Sequence, residues 1–301
     1  MASLSLTTLP TEFNEGIYSK AMQSSALAKI TSARPQLFAN QAYHVLTAPP
    51  KAQFVGAGQA KAGSNPQLKT ITVAPLKAQV TMRFDEEVKW ADEDHQMGVL
   101  QELADQGGLA LARALDLGAI HGVSPLEGTR FGAIQNPAIE SPNKVELVAG
   151  RGDDAFRAAY ALMLDNGGAS SVVMDPRFSF DLASQVDAHG HPLHPELGFG
   201  QNVTSYMGLP TGVSNTVSGV AELPADSKLR ALLLADGVFA WGVQKNLGLR
   251  MFDSGNPDNL MNNGVPQDLA GHNQIALRLE IVYSFAFIDL NGVVQIVDAL
   301  A

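Results

Sequence analysis

The chain has 301 residues, 46% of them apolar and 17% charged, and its formal net charge is −10 at pH 7. This composition is typical of a folded protein with a sizeable core and excludes a disordered chain. The absence of cysteine excludes disulfides, thiolate metal sites and a cysteine nucleophile. No apolar run approaches the roughly 18 residues of a membrane-spanning helix, and the N-terminus lacks a signal-peptide pattern, so we expect a soluble protein made in a cytoplasm.

The charge is divided unevenly along the chain. Residues 1–84 contain eight lysines and arginines and only two acids, Glu12 and Glu15, a net charge of +6, whereas residues 85–301 contain 12 basic and 28 acidic side chains, a net charge of −16. Such an acidic body argues against a nucleic-acid reader, because binding to phosphate needs a basic face. The basic arm should bind an acidic surface, and we interpret that surface as the body of another copy. The division of charge therefore predicts a self-assembling subunit.

The first predicted elements are a short helix and a long hairpin. Apolar side chains recur at roughly helical spacing within residues 11–31, and Arg34-Pro35 ends that pattern. Residues 41–82 contain strand-like segments around a polar, Gly-rich centre, which predicts a β-hairpin. With about 16–18 residues a side at ~3.3 Å each, the hairpin would span up to ~60 Å. Because a compact chain of this length has a radius of gyration near ~19 Å, we expect the hairpin to protrude.

A longer helix is predicted over residues 94–118, directly after an acidic run that complements the helix dipole. Its apolar face includes Leu100 and Leu111 at helical spacing, and about 25 residues make a rod of ~37 Å. Gly107 and Gly108 lie in its middle and cost about 1 kcal/mol each relative to alanine. The pair indicates a bend, a close backbone contact or a tolerated position on the solvent side.

Helices and a strand alternate in the middle of the chain. A helix is predicted over residues 154–164 with Asp153 as its cap, followed by a short strand over residues 170–174. Asp175-Pro176 is typical of a helix start and predicts a helix to about residue 185. This order predicts an α/β layer that is distinct from the long helix.

The C-terminal part is predicted to be mainly extended. Residues 230–239 form an apolar run that we interpret as helical, and residues 239–252 are predicted to be extended. Apolar and polar residues then alternate over residues 277–290, and Asn291-Gly292 predicts a turn that pairs this strand with residues 293–297 in a long hairpin.

Several short motifs occur along the chain in a specific order and spacing. They are residues 10–17 with Ser24-Ser25, residues 54–58 with Pro66 and residues 73–77, residues 112–116 with 120–122, residues 173–176 with 187–193, and residues 208–210 with 213–214. In this order they resemble the major capsid proteins of tailed bacteriophages, which have the HK97-type fold. The resemblance covers most of the chain.

The resemblance implies a mixed α/β (α+β) HK97-like capsid fold with five parts. They are an N-terminal arm (1–40), an extended-loop hairpin (41–82), a peripheral domain (83–150) with a spine helix (94–118), an axial domain (151–270), and long C-terminal strands that return to the peripheral and axial sheets (271–301).

The same resemblance implies a major capsid protein that self-assembles into pentamers and hexamers of an icosahedral phage head around double-stranded DNA. We therefore expect no catalytic turnover, no cofactor, no metal and no membrane. The expected location is the virion capsid, after assembly in the bacterial host cytoplasm. Because the chain starts directly with the arm, we expect either a separate scaffolding protein or none, with a portal as a further partner and a decoration protein as another candidate.

Two sets of residues are candidates for contacts between subunits. Exposed basic and apolar positions of the arm and loop are expected to meet acidic neighbouring bodies: Arg34, Lys51, Phe54, Val55, Lys61 and Lys69. Some members of the family also join a loop lysine to a neighbour's asparagine through an isopeptide bond, with help from a carboxylate. The corresponding candidates are Lys51, Lys61, Lys69 and Lys77 as donors and Asn256, Asn259, Asn262 and Asn263 as acceptors. Lysines also protect exposed hairpin edges, so both interpretations remain open.

Other interpretations of the sequence are weaker. An encapsulin-type nanocompartment has the same architecture, and a soluble α/β enzyme using the Asp175-Pro176 region rests on fold-level analogy alone. His189, His191 and His194 are close enough in sequence to suggest a metal site, but the intervening glycine and prolines favour an exposed polar loop. The chain contains no Walker A, HExxH or GxSxG motif.

Overall fold

The computed structural model describes residues 25–48, 50–87, 93–197 and 203–299. The predicted arm helix therefore lies largely outside the described residues, and its final part is the helix α1. The described helices are α1 (Ala26–Ile30), α2 (Glu93–His121), α3 (Gly152–Met163) and α4 (Pro176–Ala183). None of these described helices is long and apolar enough to cross a membrane.

The strands alternate with these helices along the chain. They are β1 (Gln41–Ala48), β2 (Gln67–Val73), β3 (Leu76–Asp85), β4 (Val123–Ser124), β5 (Thr129–Arg130), β6 (Asn143–Leu147), β7 (Ser171–Met174), β8 (Ser205–Tyr206), β9 (Leu209–Val213), β10 (Leu229–Leu234), β11 (Phe239–Phe252), β12 (Met261–Asn262), β13 (Val265–Pro266), β14 (Gln274–Phe287) and β15 (Val293–Asp298).

Two sheets form the body of the described chain. The larger sheet has the order β6-β15-β10-β7-β9-β8, in which β6 runs parallel to β15 and β7 parallel to β9. The smaller sheet has the order β11-β14-β3 and is antiparallel. Buried side chains from both sheets belong to one apolar core, which also includes residues of α2, α3 and α4. The two sheets therefore share one apolar core.

The spine helix α2 is longer than predicted and packs closely on the smaller sheet. It has 29 residues and would measure ~43 Å at 1.5 Å per residue. A Cβ on Gly107 would lie 2.7 Å from Leu279 Cδ1, and one on Gly118 would lie 2.8 Å from a ring carbon of Phe285. Close contact with β14 therefore explains Gly107, one of the alternatives that the sequence left open.

The central strand β10 contradicts the helix predicted over residues 230–239. Its six residues are all buried between β7 and β15. A strand that is covered on both faces has no polar side, so its apolar run lacks the period of two that identifies a half-buried strand. The pattern therefore could not separate a buried strand from a buried helix.

The extended hairpin is shorter than predicted. Its strands β1 and β2 pair over eight and seven residues instead of the expected 16–18 a side, and the described residues between them form no strand. The third extended segment, β3, leaves the hairpin after Pro75 and pairs with β14. Pro66 and Pro75 lie next to the ends of β2, where a missing N–H interrupts the ladder.

The predicted C-terminal hairpin is also wrong in its pairing. β14 is the central strand of its sheet, and both of its edges are already bonded to β11 and β3. A short 3₁₀ turn, Leu290–Gly292, instead leads the chain into the larger sheet, where β15 lies between β6 and β10. β11 falls within the predicted axial range of 151–270 but pairs in the smaller sheet with β14.

The start of α3 differs from the predicted cap, whereas the start of α4 agrees with it. Arg151 precedes α3 without a side-chain cap, and Asp153 lies within the first turn. The carboxylate of Asp181 in α4 accepts the N–H groups of Gly150 and Gly152 at 2.8 Å each. Asp175 caps α4 as predicted, accepting the Arg177 N–H at 2.9 Å.

An ion-pair network holds the start of β10. The buried guanidinium of Arg230 lies 2.9 Å from Asp226 and 2.5 Å from Asp298, and Arg177 lies 2.5 Å from Asp226. Partial burial acts to raise the pKa of Asp226, but hydrogen bonds from Arg230, the Lys228 N–H and Arg177 outweigh it and lower the pKa to about 2. The carboxylate thus favours its ionised, paired form.

Asp226→Asn should lower the free energy of unfolding by about 1–2 kcal/mol at pH 7. Because 26% of the Asp226 side chain is exposed, solvent screening reduces the effect below what the pKa alone would give. A lowered native pKa means that the contribution is present above about pH 4 and is lost as the pH falls towards about 2. Urea denaturation at both ends of this pH range measures the loss of stability, with the exposed Asp236→Asn as a control. An equal loss at both pH values would contradict the assignment.

Candidate functional site

The loop between β1 and β2 is the most exposed part of the described chain. Residues 51–70 are exposed without exception, and Phe54 has no measurable burial. The loop contacts itself, since the Lys51 N–H donates to Ser64 Oγ at 2.8 Å and the Gln59 N–H to the Gly56 carbonyl at 3.1 Å. An aromatic side chain left fully in water on a projecting loop is typical of a surface that another molecule covers.

The base of this hairpin is fixed to the body on one face only. Tyr43 and Ile71 are buried against Ala240 of β11 and neighbouring apolar residues. On the opposite face, Leu46 pairs directly with Leu68, and both are exposed. The hairpin therefore stands on the smaller sheet and presents a second apolar surface to solvent.

The structure brings five of the six predicted contact residues together on this protrusion. Lys51, Phe54, Val55 and Lys61 lie in the loop, and Lys69 lies in β2. Arg34 lies elsewhere: it precedes the hairpin, its backbone N–H donates to the Trp241 carbonyl at 2.9 Å, and the residue is exposed on the body. Whether these residues contact a neighbour remains a prediction.

Two of the cross-link candidates are engaged within their own subunit. Lys77 in β3 lies 2.8 Å from the carboxylate of Glu280, whose side chain is buried. The side-chain amide of Asn256 accepts from Arg83 at 2.5 Å and from the Leu260 N–H at 3.0 Å, and donates to the Leu260 carbonyl at 2.9 Å. These contacts hold both side chains in their own subunit.

The other asparagine candidates lie in or beside a small hairpin that the sequence analysis missed. Strands β12 and β13 pair around Asn263-Gly264, and both turn residues have positive φ, 49° and 79°. Asn-Gly between short strands is the signal for such a turn. Asn259, Asn262 and Asn263 are all exposed there.

Arg83 holds this small hairpin against the smaller sheet, a role that no local sequence signal predicts. Its guanidinium forms an ion pair with Asp258, with one N–H···O distance of 2.7 Å, and donates to the Gln267 carbonyl at 2.9 Å. The hydrogen bond from Arg83 lowers the pKa of Asp258. The hairpin is therefore a fixed part of the body.

A second exposed apolar surface lines an open groove of about 670 Å³ between α2 and β3. Leu111 of α2 and Leu76 of β3 contribute to its wall, while Leu126 and Phe131 lie at its margin. Leu126 is 93% exposed and Phe131 48% exposed.

The three histidines do not form one group. His194 is buried, with Nε2 3.3 Å from the Tyr206 hydroxyl and 3.7 Å from Asp153 Oδ1. His189 and His191 lie in an exposed turn, where both backbone N–H groups donate to Asp187 and thereby lower its pKa. Among the described residues, no group of three His, Asp or Glu side chains is placed to hold a metal ion.

Comparison with known proteins identifies the family. The model of the phage capsid family matches residues 7–279. The chain belongs to the phage capsid family. A solved structure from Mycobacterium phage Ogopogo is 38% identical, with a TM-score of 0.79 over 91% of this chain and 92% of that chain. A structure from Gordonia phage Cozz is 26% identical, with a TM-score of 0.74 over 94% and 87% of the two chains.

More distant structures share the same fold. A chain from the capsid of an empty GTA particle is 14% identical, with a TM-score of 0.62 over 92% of this chain and 90% of that chain. A comparison with curated protein sequences gives no match. The predicted HK97-like mixed helix and sheet fold is therefore confirmed.

Membership of the phage capsid family decides between the functional interpretations. The chain is a phage major capsid protein, a structural and non-enzymatic subunit of a virion shell. The encapsulin alternative is not favoured, and the enzyme interpretation is wrong. Asp175, on which the enzyme interpretation depended, serves as the cap of α4.

Proposed function

We propose that the subunits assemble as hexamers and pentamers of an icosahedral shell around double-stranded DNA, with the exposed loop of each subunit lying on the acidic body of the next. The single observation that carries this proposal is the loop itself: residues 51–70 are exposed throughout, include the fully exposed Phe54, and contain lysines but no acid.

The distribution of charge leaves these lysines without acidic partners in their own segment. No Asp or Glu occurs between Glu15 and Asp85. Lys77 and Arg83 reach acids of their own body, Glu280 and Asp258, whereas the lysines of the loop extend into solvent. Lys51, Lys61 and Lys69 are thus free to meet the acidic body of a neighbour, and this attraction should weaken with salt, since charges are screened over ~10 Å at 0.1 M.

The acidic body also suits the proposed contents of the shell. A net charge of −16 over residues 85–301 disfavours tight binding of phosphate, so enclosed DNA would be held by the closed wall and not by sequence-specific contacts. A portal and a separate scaffolding protein are proposed partners, with a decoration protein as a further candidate. Assembly in the host cytoplasm fits a chain without cysteine.

Reversing Lys51, Lys61 and Lys69 together to glutamate should give capsomers or aggregates without closed shells, because the loop would then repel the acidic bodies. Electron microscopy and sedimentation of the high-mass fraction check this. Reversal of Lys144, Lys245 and Arg250, which are exposed on the body, is a control with the same change in net charge. Normal shells from the loop variant would contradict the electrostatic part of the proposal.

Phe54→Ser should raise the subunit concentration needed for assembly. Burying a phenylalanine side chain contributes about 1.5–3 kcal/mol, which corresponds to roughly a 10- to 100-fold change in that concentration. Light scattering over a dilution series measures it. Phe54→Leu retains most of the apolar area and should assemble almost normally; equal concentrations for all three proteins would show that Phe54 is not covered.

For the lysines we propose an electrostatic role without isopeptide bonds. In the described part of the chain, Lys77 is the candidate donor in ion-pair contact with a carboxylate, and that carboxylate belongs to Glu280 of the same subunit. Denaturing electrophoresis of intact particles should therefore give one band near 31.8 kDa. A ladder of multiples would establish covalent links, and Lys51→Arg, Lys61→Arg and Lys69→Arg, each of which keeps the charge, would then identify the donor.

A further inference from the structure

Residues 25–39, called the strap here, run across both sheets of the same subunit. At one end α1 lies on β9, where a Cβ on Gly212 would collide with the Ala26 carbonyl. At the other end the strap lies on β11, where a Cβ on Gly242 would collide with the Arg34 carbonyl. Because glycine alone leaves room for another backbone at these positions, the two sheets are shaped to receive the strap.

The carboxylate of Asp116 fastens the first end of the strap. It is buried in α2 and accepts hydrogen bonds from Ser25 Oγ at 2.5 Å, the Ala26 N–H at 2.9 Å and the Leu27 N–H at 3.3 Å. It also accepts from Thr216 Oγ1 at 2.9 Å, in the segment after β9. This group of contacts, called the clasp here, joins the strap, the spine helix and the larger sheet.

The second end of the strap is bonded to the smaller sheet. The Arg34 N–H donates to the Trp241 carbonyl at 2.9 Å, and the indole N–H of Trp241 donates to the Thr31 carbonyl at 3.2 Å. Further along, Gln36 Oε1 accepts from the Ser284 hydroxyl at 2.6 Å. The strap thus connects β9 of one sheet to β11 and β14 of the other.

Three segments that enter or leave the larger sheet lie together: the last two connect it directly to the smaller sheet, and the first leads to it from β5, after the spine helix. These segments are residues 131–142, 235–238 and 288–292. Ala235 N–H donates to the Gly292 carbonyl at 2.9 Å, and Ile288 N–H to the Val238 carbonyl at 2.7 Å. The Ser141 hydroxyl donates to the Leu290 carbonyl at 3.0 Å. Three connecting segments at one position form a natural hinge.

The strap acts at a distance from this hinge. Residues 235–238 leave the larger sheet at β10, and residues 288–292 enter it at β15. By contrast, α1 rests on β9, two strands beyond β10 in the sheet order. Two strand spacings are ~10 Å. A bond at that distance resists rotation about the hinge more effectively than one at the hinge itself.

We propose that the strap is a latch that sets the angle between the two sheets, and that opening the clasp allows them to turn about the hinge formed by the three connecting segments. The latch is a property of the single subunit, and it does not depend on the proposed contacts between subunits. Hinge motion of this kind is one of the standard ways in which a packed body changes shape.

The absence of cysteine makes a direct measurement possible in the full-length unassembled subunit. Spin labels on Ser205→Cys in β8 and Gln79→Cys in β3, both exposed, report the distance between the sheets by pulsed electron resonance. Hydrogen exchange of residues 25–39 reports whether the strap is bound. Ser25→Ala with Thr216→Val removes the two side-chain donors of the clasp and so weakens it, Gly242→Ala lifts the other end independently, and Arg34→Ala serves as the control because it keeps the backbone contacts.

The clasp variant should increase exchange in the strap about tenfold, as expected for lost hydrogen bonds, and should broaden the distance distribution. Gly242→Ala should broaden it in the same way, while Arg34→Ala should match the unmodified chain. A strap that exchanges rapidly while the distance distribution stays unchanged would overturn the proposal, as would a strap that stays protected in the clasp variant. If Gly242→Ala does not fold, the clasp variant alone decides between these outcomes.

Discussion

The hydrogen bonds to the buried carboxylate of Asp116 are the interaction on which the arrangement of the strap, the spine helix and the larger sheet depends. A buried carboxylate is strongly unfavourable unless it is fully hydrogen-bonded, and burial raises the pKa of Asp116 while its donors oppose the rise. Its four donors come from the strap and from Thr216. Because burial is tolerable only when all of these segments are in place, the strap, the spine helix and the loop after β9 must become ordered together.

Elements with a strong local pattern could be predicted from the sequence, but their partners could not. The strand at β14 and the Asp175 start of α4 were predicted from local signals, and both occur in the structure, although β14 is buried at almost every position and its burial does not alternate. β10 has no polar position to reveal its period. Asn291-Gly292 marks a real turn, yet the pairing of β15 depends on which edges are free, and both edges of β14 are occupied by segments far away in sequence.

The same distinction applies to the candidate site. Lys51, Phe54 and Lys61 lie close together because they are close in sequence, and the change from strand to polar loop was sufficient to locate them. Arg83 and Asp258 are 175 residues apart, and nothing local in either segment points to the other. Asn263-Gly264 was a usable signal for the small hairpin, but its strands have two residues each, too short to show alternation.

A loop that contacts a different surface on the next copy makes a heterologous contact, and such contacts close into rings only at particular rotations. Rings of five and six differ by about 12° per subunit, so in the proposed assembly one sequence would have to tolerate both angles. The hairpin is anchored at its base by Tyr43 and Ile71, while the loop beyond it is exposed throughout. A loop held only at its base can absorb part of this difference, and a latched hinge within the body offers a second source of adjustment that leaves both sheets intact.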